Sequence, residues 1–329
     1  MEITSVEISK DGETTQVPAC QIQGHTIAVT GGWMRTARVH DEEWQSEGIG
    51  ETDAFVRSLR ESPLNADVFT FVQKLSDKAV HLPFPQVSDN VAAVRITSYT
   101  DWWENKIPQE TRKNIRRSTK RGVEVRVVEF DDKLIEGIES IYNETPVRQG
   151  RRFWHYGKSR EQIKRENSSY LEKAQFLGAF SEGELIGFLK MVFTDGVCTI
   201  MQILSKQQHT DKRPTNALLA KAIEICAERK MSYFLYGKYV YGSDTDGPLT
   251  EFKRRNGFEP IYLPRYYIPL TMKGRLYTSL RLHEGYRKWL PAGVERFLRR
   301  VRSRLYQMRS APIEKAAPIC KVESAAEAD

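Results

Sequence analysis

Apolar and polar residues in the second half of the chain alternate in a pattern that predicts a close series of strands and helices. Two apolar runs, at 185–193 and 197–204, flank the turn Asp195-Gly196 and predict a buried hairpin. Apolar residues then recur at helical spacing over 215–230. This segment therefore predicts an amphipathic helix directly after the hairpin.

Shorter elements follow this helix. Residues 232–237 predict a strand, 249–255 predict a helix that Asn256-Gly257 ends, and 260–270 predict a last strand. The predicted order is strand, strand, helix, strand, helix, strand.

The first part of the chain shows a weaker form of the same alternation. Residues 17–44 alternate around glycines and predict antiparallel strands joined by turns. A short helix is predicted at 52–59 and another strand at 68–75.

Several phrases give the chain a family resemblance. They are TRKNIRRSTKRGVEVRVV at 111–128, YNETPVRQGR at 142–151, and the pair LYGKYVYG at 235–242 and LTEFKRRNGFEP at 249–260. With the predicted element order, they make residues 91–270 resemble the GNAT (GCN5-related N-acetyltransferase) superfamily. Within it, the chain resembles the Fem group, the aminoacyltransferases that build peptidoglycan interpeptide bridges.

The resemblance implies an α/β (α+β) fold. It would consist of tandem GNAT-like halves, each a mixed, mostly antiparallel sheet flanked by helices, with a helical extension at the carboxyl terminus. We expect a degenerate amino-terminal half at 1–122, a catalytic half at 123–270, the extension at 271–309 and a disordered tail at 310–329.

The extension predicted at 271–309 is a basic amphipathic helical segment, with apolar residues at helical spacing and many arginines. Such a segment suits peripheral contact with an anionic membrane or binding to tRNA. It equally suits a helix that packs on the domain with its arginines facing solvent.

Composition limits the class of protein without selecting a function. Hydrophobic residues make up 40% of the chain and charged residues 28%, which is typical of a globular protein. The amino terminus lacks the basic start and apolar centre of a signal peptide, so we expect a cytoplasmic protein. The four cysteines lie far apart, so neither a metal site nor a disulfide framework is expected. A net charge of +7 favours anionic partners, among them phosphate-bearing small molecules and RNA.

The most basic stretch of the chain spans 107–121. In a helix, its cations would occupy two adjacent faces, and such crowding is explained by a bound polyanion. The alternative is a solvated outer face. The Fem resemblance implies a contribution to the substrate groove, and Arg116, Arg117 and Lys120 are the predicted substrate-binding residues.

A loop after Pro146 interleaves arginines with aromatic residues. Cations combined with stacking faces suit a nucleotide, an RNA end or a sugar-phosphate, and Arg148 and Trp154 are the candidates. The alternative is a loop that its aromatic residues anchor to the core. The Fem resemblance includes a Thr-x-x-Arg-x-Gly element beside the substrate cleft, which favours a function for Arg148.

The donor site is predicted at the start of the 215–230 helix. Coenzyme-A-dependent GNAT enzymes have a glycine-rich loop there, whereas this chain has HTDKRPTNAL. Its candidate donor-binding residues are Lys212, Arg213, Thr215 and Asn216. The resemblance implies a donor that is either aminoacyl-tRNA, as in the Fem group, or acyl-coenzyme A, and no permanently bound cofactor.

Lys253 is the predicted catalytic residue. A lysine beside an acyl carbonyl stabilises the negative charge that develops on oxygen during attack by an amine. The Fem resemblance implies that the lysine of the EFKRRNG phrase faces donor and acceptor, while the alternative is an exposed charge on a short helix. Tyr236, Lys238 and Tyr239 are predicted to line the substrate site.

Asp244 and Asp246 are acid/base candidates, although aspartates in a glycine-bounded segment are commonly turn residues. No Ser/His/Asp or Cys/His set is evident, so direct attack without a covalent enzyme intermediate is expected.

Three hypotheses follow from the sequence. The first is a Fem-like acyltransferase that moves an aminoacyl or acyl group to an amine of a cell-envelope or related small precursor. The second is an acyl-coenzyme-A-dependent GNAT N-acyltransferase. The third is a non-catalytic module that binds RNA or a membrane surface.

Overall fold

The computed structural model describes residues 1–10, 13–45, 48–75, 82–148, 150–242 and 245–285. Met1–Pro146 and Phe153–Glu284 together form one compact unit. Val147–Arg152 belongs to a second unit, where it forms a two-stranded hairpin.

The described strands and helices follow in this order. The strands are β1 Thr4–Lys10, β2 Glu13–Ile22, β3 His25–Thr30, β4 Thr36–Val39, β5 Val68–Val72, β6 Gln86–Arg95, β7 Glu124–Val128, β8 Val147–Arg148, β9 Arg151–Arg152, β10 Ala174–Ser181, β11 Glu184–Thr194, β12 Val197–Ser205, β13 Tyr233–Leu235 and β14 Glu259–Pro269. The helices are α1 Thr52–Glu61, α2 Tyr99–Asp101, α3 Gln109–Lys120, α4 Asp132–Tyr142, α5 Arg160–Asn167, α6 Pro214–Glu228, α7 Pro248–Arg255 and α8 Met272–Ser279. Short 3-10 turns lie at Glu42–Trp44, Leu171–Lys173, Gln207–Lys212 and Leu282–Glu284, and a π-helical turn lies at Trp102–Lys106.

Twelve of the described strands form one mixed sheet with the order β1-β2-β3-β4-β5-β14-β6-β13-β12-β11-β10-β7. Each end of the sheet contains the same arrangement. The meander β2-β3-β4 is followed by α1 and by β5, which is parallel to β4. The meander β10-β11-β12 is followed by α6 and by β13, which is parallel to β12. The predicted fold class, tandem GNAT-like halves with mixed sheets flanked by helices, is confirmed.

The two halves exchange their last strands. β6 follows β5 along the chain but pairs with β13, whereas β14 follows β13 but pairs with β5. β6 and β14 also pair with each other, at the centre of the sheet. We call β1–β5 with β14 the first half, and β6, β7 and β10–β13 the second half. The chain therefore passes from the first half to the second between β5 and β6.

The helices of the second half cover both faces of its sheet. Adjacent strand residues point to opposite faces, and in β11 Leu189 packs in a core with Leu218 of α6, whereas Phe188 packs with Ile138 of α4. The predicted apolar stripe of α6 is buried, as are Cys198 and Cys226. We call these two surfaces the α6 face and the α4 face.

Strands β12 and β13 pair over only three residues and then part. Val197–Thr199 is hydrogen-bonded to Tyr233–Leu235. The next residue after β13, Tyr236, donates its N–H to the carbonyl of Ala92 in β6, at 2.9 Å, so the chain continues along β6. A β-bulge at Met201 bends β12 in the same region, since Met191 and Lys190 pair with Ile200 and Gln202.

Within the described part of the chain, no helix is both long enough and apolar enough to cross a bilayer. The predicted basic helix beyond residue 285 and the predicted disordered tail lie outside the described residues.

Candidate active site

Lys253 is completely buried, at 0% exposure. Its Nζ donates to the carbonyl of Lys238 and lies 4.8 Å from the ring centroids of both Tyr236 and Tyr241. Among the residues that the structure describes, no carboxylate forms an ion pair with it. Burial lowers the pKa of Lys253 to about 8. The group is therefore a buried ammonium held by two aromatic faces and one carbonyl.

The end of α7 fixes the position of Lys253. Gly257 follows the helix with φ +82°, a conformation that favours glycine, and a side chain there would press on the Trp102 ring nitrogen at 3.1 Å. Trp102 Nε1 donates to the carbonyl of Asn256 at 3.1 Å, and the Asn216 side-chain amide donates to Asn256 Oδ1 at 3.2 Å. The last turn of α7 is thus tied to the first turn of α6.

The predicted donor-binding residues gather at the start of α6, but several of their polar atoms contact protein. Lys212 Nζ donates to Ser181 Oγ at 2.8 Å, and Thr215 Oγ1 lies 3.1 Å from Ser205 Oγ. Arg213 precedes the helix in the left-handed conformation, with φ 55°, and its Nε is buried with no acceptor among the described residues. Asn216 contacts Asn256, as described above.

The predicted basic face of α3 is exposed. Arg116, Arg117 and Lys120 point away from the buried side of the helix, where Ile115 packs in the core shared with α6. Arg116 lies over the Trp103 ring at 5.4 Å. These positions fit both the anion-binding interpretation and the solvated-face interpretation.

The other predicted residues are dispersed. Tyr239 is partly buried against the core of the α6 face. Asp246 is exposed and accepts a hydrogen bond from Thr245 Oγ1 at 3.1 Å, without contacting Lys253. Trp154 is exposed, with the amino group of Lys158 4.2 Å from its ring centroid. Arg148 lies in β8 of the second unit, and Asp244 lies outside the described residues.

A cleft of about 140 Å³ lies on the α4 face, beside the paired part of β12 and β13. Thr199 and Leu235 line it, whereas their neighbours Cys198 and Phe234 belong to the core under α6. The side chain of Lys238 also lines the cleft, while its carbonyl accepts from Lys253. Lys238 therefore connects the cleft with the lysine site on the α6 face.

An ion-pair network crosses the cleft. Asp89 binds Lys238 at 2.9 Å and Arg265 at 3.1 Å, and Arg265 also binds Glu42 at 3.2 Å. Burial alone would raise the pKa of Asp89, but these two cations hold it below its ordinary value. Glu42, Asp89 and Arg265 were not predicted, because they come from a 3-10 turn and two exchanged strands that are distant in sequence and carry no common motif.

Comparisons with known proteins identify the fold. No family model and no curated protein sequence matches the chain. FemX superposes with a TM-score of 0.53 at 11% identity, covering 84% of this chain and 90% of that chain. The fold is GNAT-like and Fem-like. L-PGS from Bacillus licheniformis superposes on the same Fem-like fold with a TM-score of 0.52 at 15% identity, covering 81% and 87% of the two chains. The C-terminal domain of a putative lysylphosphatidylglycerol synthetase from Agrobacterium fabrum gives 0.51 at 14%, covering 80% and 87%.

Proposed function

We propose that this protein is a Fem-like acyltransferase that moves an aminoacyl or acyl group from an activated donor to an amine. The acceptor would be a cell-envelope or related small precursor that carries phosphate. The observation that carries the proposal is the complete burial of Lys253 of α7 against the rings of Tyr236 and Tyr241, which lie on the segment after β13, where β12 and β13 have parted. The Fem-like fold supports it, and one of the similar structures is named as a domain of a putative lysylphosphatidylglycerol synthetase, a name that implies an aminoacylated product.

Lys253 would stabilise the transition state for acyl transfer. The acceptor nitrogen attacks the donor carbonyl carbon, and negative charge collects on the carbonyl oxygen until the bond to the leaving oxygen or sulfur breaks. An ammonium has three N–H groups, and among the described residues only the Lys238 carbonyl accepts from Lys253. With a pKa of about 8, Lys253 is mostly protonated at pH 7 and can donate to the developing oxyanion.

The remaining predicted residues would bind the substrates. Tyr236, Lys238 and Tyr239 would line the reacting groups. The exposed face with Arg116, Arg117 and Lys120, and the aromatic and basic groups at Arg148 and Trp154, would bind phosphates of the acceptor or of tRNA. Asp244 and Asp246 would be the candidate proton acceptors, and the basic segment after residue 285 would contact an anionic membrane or tRNA.

The donor is either aminoacyl-tRNA or acyl-coenzyme A. The absence of a glycine loop before α6 favours aminoacyl-tRNA. One observation favours coenzyme A: the buried Nε of Arg213, at the start of α6, lacks an acceptor among the described residues, and a pyrophosphate at the helix start would supply one. Lys212, Thr215 and Asn216 would then border that group.

The test is a donor-consumption assay on the full chain. Acetyl-coenzyme A and mixed aminoacyl-tRNA are each incubated with an amine panel, and release of free thiol or of deacylated tRNA is followed. We expect one donor to be consumed, and Lys253→Met to slow this at least about 100-fold, the loss caused by removing one oxyanion-stabilising group. Lys133→Met, which removes an exposed lysine of α4, is the control. Consumption of neither donor, or an unchanged rate in Lys253→Met, would reject the proposal; tRNA binding without turnover would favour the non-catalytic module.

A further inference from the structure

The cleft on the α4 face is small and partly apolar. Its volume of about 140 Å³ is close to the roughly 150 Å³ of an engineered cavity that holds benzene, so it fits a group of about six heavy atoms. Val72, Val91, Leu235 and Leu263 supply apolar side chains. A small apolar body therefore fits the size and the lining of the cleft.

Charges around the cleft do not balance. Four carboxylates and three cations line it, so a protein with a net charge of +7 has a negative site here. The carboxylates are Glu42, Glu43, Asp89 and Asp195, and the cations are Lys74, Lys238 and Arg265.

Two of these carboxylates already have hydrogen-bond and ion-pair partners within the protein. Glu42 accepts from the backbone N–H of Val72 at 2.6 Å and pairs with Arg265. Asp89 pairs with Arg265 and Lys238, and also accepts from the backbone N–H of Asn90 at 3.0 Å. Neither has an oxygen left without a strong donor.

Glu43 differs from Glu42 and Asp89 in its contacts. It forms no hydrogen bond or ion pair with any residue in the described part of the chain, and it stays open to solvent inside the cleft. The surrounding protein, which reduces hydration of the carboxylate, raises the pKa of Glu43, and the negative charge of Glu42 raises it further. A cationic ligand would supply the partner that this carboxylate lacks.

We propose that the cleft is the acceptor pocket, and that it takes a primary amine on a small apolar body, with the amino group on Glu43. The role of the cleft as acceptor pocket rests on the proposed function, whereas its binding of an amine does not. An ammonium matches the excess negative charge, while Val72, Leu235 and the other apolar side chains contact the body of the ligand. The pocket borders the paired part of β12 and β13 on the α4 face, and Lys238, which lines it, accepts at its carbonyl from Lys253 on the α6 face.

The pH dependence follows from the groups that face Glu43. These are Glu42 beside it, Lys74 after β5, Asp89 of β6, Arg265 of β14 and Lys238 after β13, with Asp195 on the β11–β12 turn. Protonation of Glu43 removes the charge that holds the ammonium. Amine binding is therefore lost as pH falls, at a pH above the ordinary 4.5 of a glutamate, because the pKa of Glu43 is raised.

The test is calorimetric titration of the full chain with pentylamine at pH 7.5, without any donor. 1-Pentanol is the neutral probe of the same size. We expect pentylamine to bind at least tenfold more tightly than 1-pentanol, and Glu43→Gln to abolish this difference while leaving 1-pentanol binding unchanged. Glu43→Asp keeps the charge and should keep a preference for the amine.

Two matched variants distinguish direct contact between the ammonium and Glu43 from the general effect of negative charge. Asp195→Asn removes one negative charge from the same cleft, and Glu61→Gln removes one from an exposed position of α1. Both should retain a clear preference for pentylamine. If Asp195→Asn removes the preference as fully as Glu43→Gln, or if wild type does not discriminate between amine and alcohol, the assignment to Glu43 is wrong. Because no donor is present, these results stand whether or not Lys253 supports acyl transfer.

Discussion

Two buried lysines, Lys253 of α7 and Lys190 of β11, differ in how many hydrogen-bond acceptors surround the amino group. Lys253 is 0% exposed and Lys190 is 1% exposed, and burial lowers the pKa of each to about 8. Lys190 Nζ donates to the carbonyls of Asn167 at 2.9 Å and Ser169 at 2.7 Å, and to the Ser169 hydroxyl at 3.1 Å. Lys253 has one carbonyl and two tyrosine faces.

The difference shows that burial and a lowered pKa do not by themselves mark a functional group. All three N–H groups of Lys190 have acceptors, so this lysine holds the segment between α5 and β10 in place. Lys253 has a single acceptor among the described residues, which leaves two of its N–H groups for the oxyanion of the proposed reaction. The count of satisfied donors therefore distinguishes the two regions.

The largest expected effect is on transfer by Lys253→Met. We expect kcat to fall about 100- to 1000-fold, equivalent to about 3–4 kcal/mol of transition-state stabilisation. Lys190→Met, assayed at a temperature where it is fully folded, should retain most of its activity, because its amino group contacts only the protein. Equal losses of kcat in the two folded variants would contradict the distinction.

The second effect is on the free energy of unfolding, which Lys190→Met should lower more than Lys253→Met. Lys190→Met removes the donor to the buried Asn167 carbonyl, the half-buried Ser169 carbonyl and the Ser169 hydroxyl, so we expect the free energy of unfolding to fall by about 2–4 kcal/mol. Lys253→Met leaves one carbonyl without a donor and removes a buried charge, so its net change should be about 1 kcal/mol or less. Urea denaturation of both variants checks this, and a greater loss in Lys253→Met would overturn it.

The third effect concerns pH, and here the two lysines should behave alike. Between about pH 8 and the ordinary 10.5, the unfolded chain holds a proton on each lysine that the folded chain has released. Each lysine therefore makes the free energy of unfolding rise with pH in this window, by at most about 1.4 kcal/mol per pH unit. Burial raises the pKa of the Cys20 and Cys198 thiols, which contribute with the opposite sign near the same pH.

Denaturation at pH 8, 8.5, 9 and 9.5 measures this slope. From pH 8 to 9.5, the change in the free energy of unfolding should be about 1–2 kcal/mol less positive in each single Met variant than in wild type, because the thiols titrate alike in all three proteins. The pKa of Tyr236, which burial raises to about 12, contributes with the opposite sign above pH 10, and the series ends below that point. An unchanged slope in either variant would mean that the lysine concerned titrates near its ordinary value.

The smallest effect is that of one aromatic face. Tyr241 is 53% exposed, so Tyr241→Leu should fold normally. Loss of its contact with the Lys253 ammonium should slow transfer only about two- to fivefold, as expected for a cation–π contact of about 0.5–1 kcal/mol. Tyr241→Phe should retain wild-type activity, and Tyr262→Leu, at an exposed tyrosine of β14, is the control. Equal rates in Tyr241→Leu and Tyr262→Leu would exclude a role for the ring.

The sequence by itself determined the local elements. The hairpin of β11 and β12, the helix α6 and the short helix α7 that Gly257 ends were all predicted, because apolar periodicity and turn residues act over a few neighbouring positions. The phrase around Lys253 likewise marked the lysine that the structure buries beside Tyr236 and Lys238.

Only the tertiary structure decided the rest. Strand pairing is non-local, so neither the exchange of β6 and β14 nor the meeting of Glu43, Asp89 and Arg265 in one cleft has a signature along the chain. Apolar periodicity alone does not separate Lys253 from Lys190, since each is a cation on an element with a buried side. What separates them is how many acceptors the fold brings within reach, and most of those acceptors are backbone carbonyls, which every residue carries.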